Sequence, residues 1–430
     1  MIAAVLALAV AASSPALSPR IAGGEGQGEG GNSAAGIPAV SFDEAVRRSI
    51  ARAPAVLAAA AQVRRTEGDR GVVRSAALPA VLADAVATRM DGDRTLNGRI
   101  VTPRDSTRAD LTAQIPLFAP QRWTAWSHAS DAVETARLGE LDVRRSAAIG
   151  AARAYLTVIA QKRALDVART SADTARAHRD FSDARLRGGV GNRLDALRAD
   201  QQLASAESLL ATAEAAVVRA QEALGIATGE GTALDAASDP DLQQVPADEA
   251  TTETRADVRA ARKRLDDARA VSRDSWLDWL PQLLGSAQAY AQDPSTATSP
   301  ANGWQAQLVL SLPLFEGGLR PAQKQQRDAL VDLASVDLDA LGRQARSEVR
   351  VGAQGATQAE VALVAARRGS ESGAQALTLA QQAYAAGATS NIEVVDAEQR
   401  ARDAAFAAVF AEDAVRNARL DLLAATGRFP

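Results

Sequence analysis

The 430-residue chain carries 48 Lys and Arg against 52 Asp and Glu, and its net charge of −4 excludes an electrostatic case for nucleic acid. Hydrophobic residues make up 47% but aromatics only 3%, so the apolar content is mostly Ala, Leu and Val, which suits close helix packing better than a bulky globular core. There is no cysteine, so disulfides and thiol chemistry are excluded.

Ile2 to Ala12 form an apolar run too short for a membrane helix, and Ser14-Pro15-Ala16 then places small residues where a signal peptidase reads. Residues 1–16 are therefore read as a signal peptide, although only the amino terminus supplies positive charge there. Residues 17–40, Gly-rich from Gly23 to Gly36, read as a low-complexity segment. No later segment approaches 18 consecutive apolar residues, so any membrane crossing must be made by strands.

The first repeat is predicted over 41–228. Ser41-Phe42-Asp43-Glu44 is a capping box, opening a helix expected to run to about Ser75. A strand follows over about 79–90, then a polar loop from Asp91 to Ser106, then a second strand over about 107–118. In that strand Ala109, Leu111, Ala113, Ile115 and Leu117 alternate with Arg108, Asp110, Thr112, Gln114 and Pro116, the period-two pattern of a membrane barrel strand. No proline occurs from Gln121 to Asp239, and Arg122 to Arg187 as one helix spans roughly 100 Å. Ala148, Ala152, Tyr155 and Ile159 supply its helical apolar spacing. The Gly188 to Gly191 turn reverses the chain into a second helix ending at Ala227-Thr228-Gly229. His128 and His178, far apart and without an acidic cluster in sequence, read as surface helix residues rather than metal ligands. Residues 229–252 form an acidic connector, expected to cross the surface.

The second repeat, 253–428, copies the first. Ile115-Pro116-Leu117-Phe118 recurs as Leu312-Pro313-Leu314-Phe315, an offset of 313 − 116 = 197. Gly189 recurs as Gly387, and Ala227-Thr228-Gly229 as Ala425-Thr426-Gly427, both at 387 − 189 = 425 − 227 = 198. Strands are expected over about 281–292 and 303–315, where Trp304, Ala306, Leu308, Leu310, Leu312 and Leu314 form one apolar face with Leu310 at mid-strand. No proline lies between Ala322 and Phe429, and Val331, Ala334, Leu338, Leu341 and Ala345 step by helical intervals. All five tryptophans lie in or beside the strands, as membrane-interface girdles require.

The doubled order helix, strand, loop, strand ending in Pro-Leu-Phe, very long helix, Gly turn and helix ending in Ala-Thr-Gly resembles the TolC-type outer-membrane efflux family. Ser311-Leu312-Pro313-Leu314-Phe315-Glu316-Gly317-Gly318 and Gly387 through Asp396-Ala397 carry the likeness most closely; Arg255-Ala256-Asp257-Val258 is similar to the family's Arg-Pro-Asp-Leu with Ala256 in place of proline, and the first repeat departs with Ala119-Pro120 where the second has Glu316-Gly317. The resemblance implies a mainly α protein with membrane β. Its TolC-like fold would hold two tandem repeats, and three protomers would close a 12-stranded β-barrel continued by an α-helical periplasmic tube. It implies an outer-membrane channel with no catalytic residue, metal or cofactor, working with a periplasmic adaptor (membrane fusion protein). The pump would be an inner-membrane resistance-nodulation-division or ABC-type transporter. Gly189, Gly191, Asn192, Gly387, Thr389 and Ser390 would form the hairpin tips that meet the adaptor. Glu393 and Asp396 would line the pore entrance, with Tyr384 helping to hold it shut and Thr389 standing where a basic partner is expected. Two other readings stay open: Asp396 and Arg400 are also an ordinary i, i+4 surface pair, and the whole chain could be a periplasmic coiled-coil scaffold. The substrate class, whether drug, metabolite, metal ion or polypeptide, stays open too.

Overall fold

The structure, a computed structural model, describes residues 37–242, 248–295 and 300–429. The expected signal peptide and almost all of the low-complexity segment lie outside the described residues. The chain enters through a two-residue strand, β1 (Ala39–Val40), and helices α1 (Phe42–Arg52) and α2 (Pro54–Ser75). Ser41 caps α1 by accepting from the Glu44 amide at 3.3 Å, while the Glu44 carboxylate turns to Arg47 and Arg48 rather than closing the box. One helix was expected from here to Ser75, and the structure has two. Pro54 lacks an amide hydrogen and its ring disfavours helical backbone at Ala53, which sits at φ −56°, ψ 133°.

Four strands make one antiparallel sheet: β2 (Ala80–Arg89), β5 (Asp105–Phe118), β7 (Gln282–Asp293) and β8 (Asn302–Ser311), in the order β2-β5-β7-β8. Register decides the faces, because directly opposed residues share one. Leu111, Ala113 and Ile115 oppose Ala289, Ala287 and Gly285, which in turn oppose Trp304, Ala306 and Leu308. Ala83 and Val81 extend this apolar face onto β2. The other face is mixed, with a polar cluster at its centre flanked by Leu82, Val86, Leu284 and Val309. Gln305 donates to Gln288 at 2.6 Å, Gln288 donates to Asp110 at 2.8 Å, and Arg108 pairs with Asp110 at 2.8 Å while lying 4.4 Å over the Tyr290 ring.

Three expectations about this region need correction. The loop 91–106 contains a hairpin, β3 (Arg94–Leu96) and β4 (Arg99–Thr102), around Asn97-Gly98 with φ of 51° and 76°. Two successive positive φ angles define the turn that matches strand twist. The last strand stops at Ser311 rather than Phe315, because Ser311 pairs with Gln282, the first residue of β7, and Pro281 before it has no amide hydrogen to extend the ladder. Leu310 is therefore next to the strand end, and Leu308 lies nearer its middle.

The helices carry most of the described chain. They are α3 (Pro120–Arg187, 68 residues), α4 (Arg193–Thr228), α5 (Ala256–Arg273), α6 (Leu319–Ala385, 67 residues) and α7 (Asn391–Ala425). At 1.5 Å per residue α3 and α6 are each roughly 100 Å long. Their small side chains permit close packing: Ala148, Ala152, Ala168 and Ala172 on α3 are buried against neighbouring helices. The core thickens where α1 meets the long helices, with Val46, Leu156, Leu420 and Phe429 in one cluster. The 229–252 connector is more than a surface crossing. Its strand β6 (Asp235–Ala236) pairs in parallel with β1, Leu234 and Ala236 are buried, and Lys162 holds Asp235 at 2.8 Å. Leu234 alone removes enough apolar surface from water to favour docking by ~2 kcal/mol. Residues 243–247 lie outside the described residues.

Candidate functional site

The two long hairpins end in turns built the same way. In the first, the Val190 amide donates to the Arg185 carbonyl and the Gly189 amide to Leu186, both at 3.1 Å, with Gly189 at φ +75°. In the second, Ala388 donates to Ala383 at 2.8 Å and Gly387, at φ +73°, to Tyr384 at 3.1 Å. This pattern satisfies the last carbonyls of each helix and needs a left-handed residue, hence glycine. Gly191 is required for space as well, since a Cβ there would lie 2.6 Å from the Leu186 nitrogen. Asn192 caps α4 by accepting from the Leu194 amide at 3.0 Å; Ser390 occupies the equivalent position before α7 but its side chain makes no capping bond.

The three expected entrance residues part company. Glu393 is exposed in the first turn of α7, and Asp396, half-buried, pairs with Arg400 at 3.0 Å. Tyr384 instead is buried, 7% exposed, at the end of α6. The reason is helical spacing: Asn391, Val394 and Glu398 form the inward stripe of α7, which leaves Glu393, Asp396 and Arg400 on another side.

Tyr384 sits among residues that sequence reasoning passed over. His178 of α3 stacks on its ring, with centroids 5.7 Å apart and planes within 7°. Arg185 of α3 lies 4.9 Å over the same ring and donates to the Tyr384 carbonyl at 2.9 Å. A basic residue therefore does reach the second turn, but from the other hairpin rather than from position 389. His178 Nε2 meets Asn391 Oδ1 at 2.5 Å, and His178 Nδ1 lies 3.2 Å from Glu398 Oε1. Asn391 Nδ2 donates to the Asp195 carbonyl of α4 at 3.0 Å. One cluster thus ties α3, α4, α6 and α7 together near the turns.

His178 was expected at the surface, without acidic company; it is 7% exposed and faces a carboxylate that is itself 6% exposed. His128, also expected at the surface, is half-buried 3.4 Å from Asp274. Both partners come from distant parts of the chain, which no local pattern could display. Burial pulls the His178 pKa down, but Glu398 and Asn391 more than offset it, so the imidazole titrates above its usual value. The visible signal was an asparagine and a glutamate seven residues apart on one helix face, both in an otherwise apolar stripe.

The sequence profile described as "Outer membrane efflux protein" matches residues 45–230 and 249–428, nearly all of both repeats. The chain belongs to the outer membrane efflux protein family. No curated protein matches it. Among solved structures it is similar to the CusC channel, at 16% identity and a TM-score of 0.80, covering 91% of this chain and 93% of that one. The VceC outer membrane protein of Vibrio cholerae gives 18% identity, a TM-score of 0.76 and coverage of 90% and 96%. The open state of the MtrE outer membrane channel of Neisseria gonorrhoeae gives 19%, 0.76, 90% and 88%. At such identities these likenesses establish the fold, which is the TolC-like one. This outer membrane efflux protein is accordingly an outer-membrane protein of a channel family rather than of an enzyme family. No helix among the described residues is long and apolar enough to cross a membrane.

Proposed function

We propose that the protein is the outer-membrane channel of a tripartite efflux or type I secretion system, active as a homotrimer. The observation that carries this reading is the sheet. It has one continuous apolar face, a second face that carries the polar cluster, and two long edges, β2 and β8, with no partner among the described residues. An open edge inside a bilayer is untenable, because its amides and carbonyls find no water there. Four strands are too few to close a barrel, whereas three copies supply twelve, an even number of the kind such barrels adopt. The β8 edge of one protomer would pair with β2 of the next, turning the Gln288, Gln305 and Asp110 face to the lumen.

The roughly 100 Å helices would continue this conduit into the periplasm. Their turns, at Gly189, Gly191, Asn192, Gly387, Thr389 and Ser390, would meet the periplasmic adaptor, and an inner-membrane resistance-nodulation-division or ABC-type pump would supply the energy. Glu393 and Asp396 on the outward side of α7 would border the entrance. Three copies make six carboxylates, enough to favour cations in a narrow opening. Tyr384, held by His178 and Arg185, would keep α6 and α7 in the closed position.

Reconstitution tests this directly. Purified protein in planar bilayers should open discrete ion-conducting steps, and cross-linking in cells should recover an adaptor through the helix turns. A soluble, elongated dimer without conductance would instead fit a coiled-coil scaffold and overturn the channel reading.

A further inference from the structure

The partners of His178 bear on where its protons sit. Asn391 donates one Nδ2 hydrogen to the Asp195 carbonyl, so the amide oxygen is the atom that faces His178 Nε2 at 2.5 Å. An amide oxygen only accepts, which requires a hydrogen on Nε2. The other ring nitrogen faces Glu398 Oε1 at 3.2 Å. A neutral imidazole with its hydrogen on Nε2 would turn a lone pair toward that carboxylate. One further proton balances the pair, and the carboxylate at 3.2 Å together with the Tyr384 ring stacked on the imidazole favours its place on Nδ1, as imidazolium facing carboxylate.

We propose that His178 is the positioning residue for the entrance: as an imidazolium held between Asn391 and Glu398 it pins α7, the helix that bears Glu393 and Asp396, against α3, and loss of that proton releases α7 so that the channel opens. The proposal rests on the channel reading above. Every helix at the cluster contributes to its charge balance. On α3, Arg185 covers the Tyr384 ring; on α4, Asp195 adds an attractive charge and Gln202 is buried nearby; on α6 there is Tyr384; on α7 there are Asn391 and Glu398. The stacked Tyr384 ring favours the cationic form of the imidazole. Among the described residues neither Glu398 oxygen accepts an aligned hydrogen bond, the 3.2 Å Nδ1 contact included, so the imidazolium meets this carboxylate as an ion pair; Arg402, one turn further along α7 and on the same cavity, turns to Asp403. A cavity of about 440 Å³, walled by α3, α6 and α7 and reaching Glu398, supplies a route for proton exchange with solvent.

The direction follows from linkage. The His178 value is raised above the ordinary 6.5. The tie is therefore fully present below 6.5 and is lost as pH rises through the raised value. Each unit of elevation changes the open-to-closed ratio about tenfold.

The test is single-channel recording of the full trimer in planar bilayers at about pH 5.5 and about pH 8.5, on either side of the imidazole range. Wild type should conduct more at the alkaline value, with a midpoint above 6.5. His178→Gln should remove the pH response, Glu398→Gln should move the midpoint below 6.5, and His128→Gln should leave the response intact. A flat wild-type profile, or the same slope in His178→Gln, overturns the proposal; absence of conductance at every pH overturns the channel reading instead. Should the cluster variants fail to assemble, isotope-labelled histidine in the wild-type protein decides the matter. The sequence has only two histidines, and His128→Gln assigns them. A His178 titration midpoint at or below 6.5 would contradict the assignment.

Discussion

Replacing Leu308 by Arg puts a guanidinium on the apolar face of β8. Leu308 lies opposite Gly285, with Ala306 and Leu310 as its same-face neighbours along the strand, and it is 69% exposed in the protomer. No acidic side chain stands on that face close by, so the charge would enter lipid uncompensated. Near the bilayer midplane the cost is about 2–4 kcal/mol per protomer, and with three copies roughly 6–12 kcal/mol per trimer. Gln307→Arg is the internal control. Gln307 opposes Ser286 on the face of the polar cluster, beside Gln288 and Gln305, where a solvated lumen would receive the charge at little cost. The assay is denaturant unfolding in lipid vesicles, supported by the yield of heat-resistant trimers. Leu308→Arg should lose most trimer and Gln307→Arg should lose little. Equal losses would refute the assignment of lipid and lumen faces.

Other expectations follow from packing and charge. Gly225→Ala would drive a Cβ to within 2.1 Å of the Thr232 carbonyl oxygen, so it should destabilise the protein by about 1–3 kcal/mol, whereas Gly355→Ala, which has open space, should raise helix stability by about 0.5–1 kcal/mol in thermal unfolding. Arg255 is buried between Asp257 and Glu348, each at 2.7 Å, and Arg255→Met should cost about 3 kcal/mol by leaving Asp257 with only the more distant Arg145, at 3.9 Å, and the Val258 amide. Burial raises the Asp257 pKa but Arg255 lowers it further, to a net value below 3.8. That contribution is present above 3.8 and fades as pH falls through the lowered value, so acid unfolding of Arg255→Met should lack the corresponding step. Glu393→Gln combined with Asp396→Asn should reduce cation preference and block by multivalent cations; unchanged selectivity would remove these residues from the entrance.

Much of the fold was legible because it rests on periodicities that a sequence displays. Alternation over Ala109 to Leu117 and Trp304 to Leu310 marked strands, and two proline-free stretches marked helices whose ends the Gly turns located to within a few residues. What escaped depended on partners distant in sequence or on residues read for composition alone. Asn97-Gly98 was a readable turn lost inside a polar loop, and the Ala53-Pro54 break was masked by unbroken helical composition on both sides. Leu234 and Ala236 looked like ordinary connector residues until β1 supplied the strand they pair with. The same holds for the candidate site. The glycine turns were legible, Tyr384 entered through the resemblance alone, and His178 acquires its meaning only from Glu398, 220 positions later (398 − 178), once two hairpins are laid side by side.

The central claim is that the free edges of three identical sheets close on one another, and the chain's lack of cysteine makes it directly measurable. Cysteine pairs can be placed one on β2 and one on β8, for example at Ala85 and Ala306, and scanned along both strands to find the register. A disulfide forms only where Cα atoms come within about 7 Å. Within one protomer β2 and β8 are the opposite edges of the sheet, separated by β5 and β7. Oxidation of membranes should therefore yield covalent trimers for the in-register pairs and monomers for each single cysteine. Recovery of monomers alone across the whole scan, from protein that is correctly inserted, would contradict the twelve-stranded barrel.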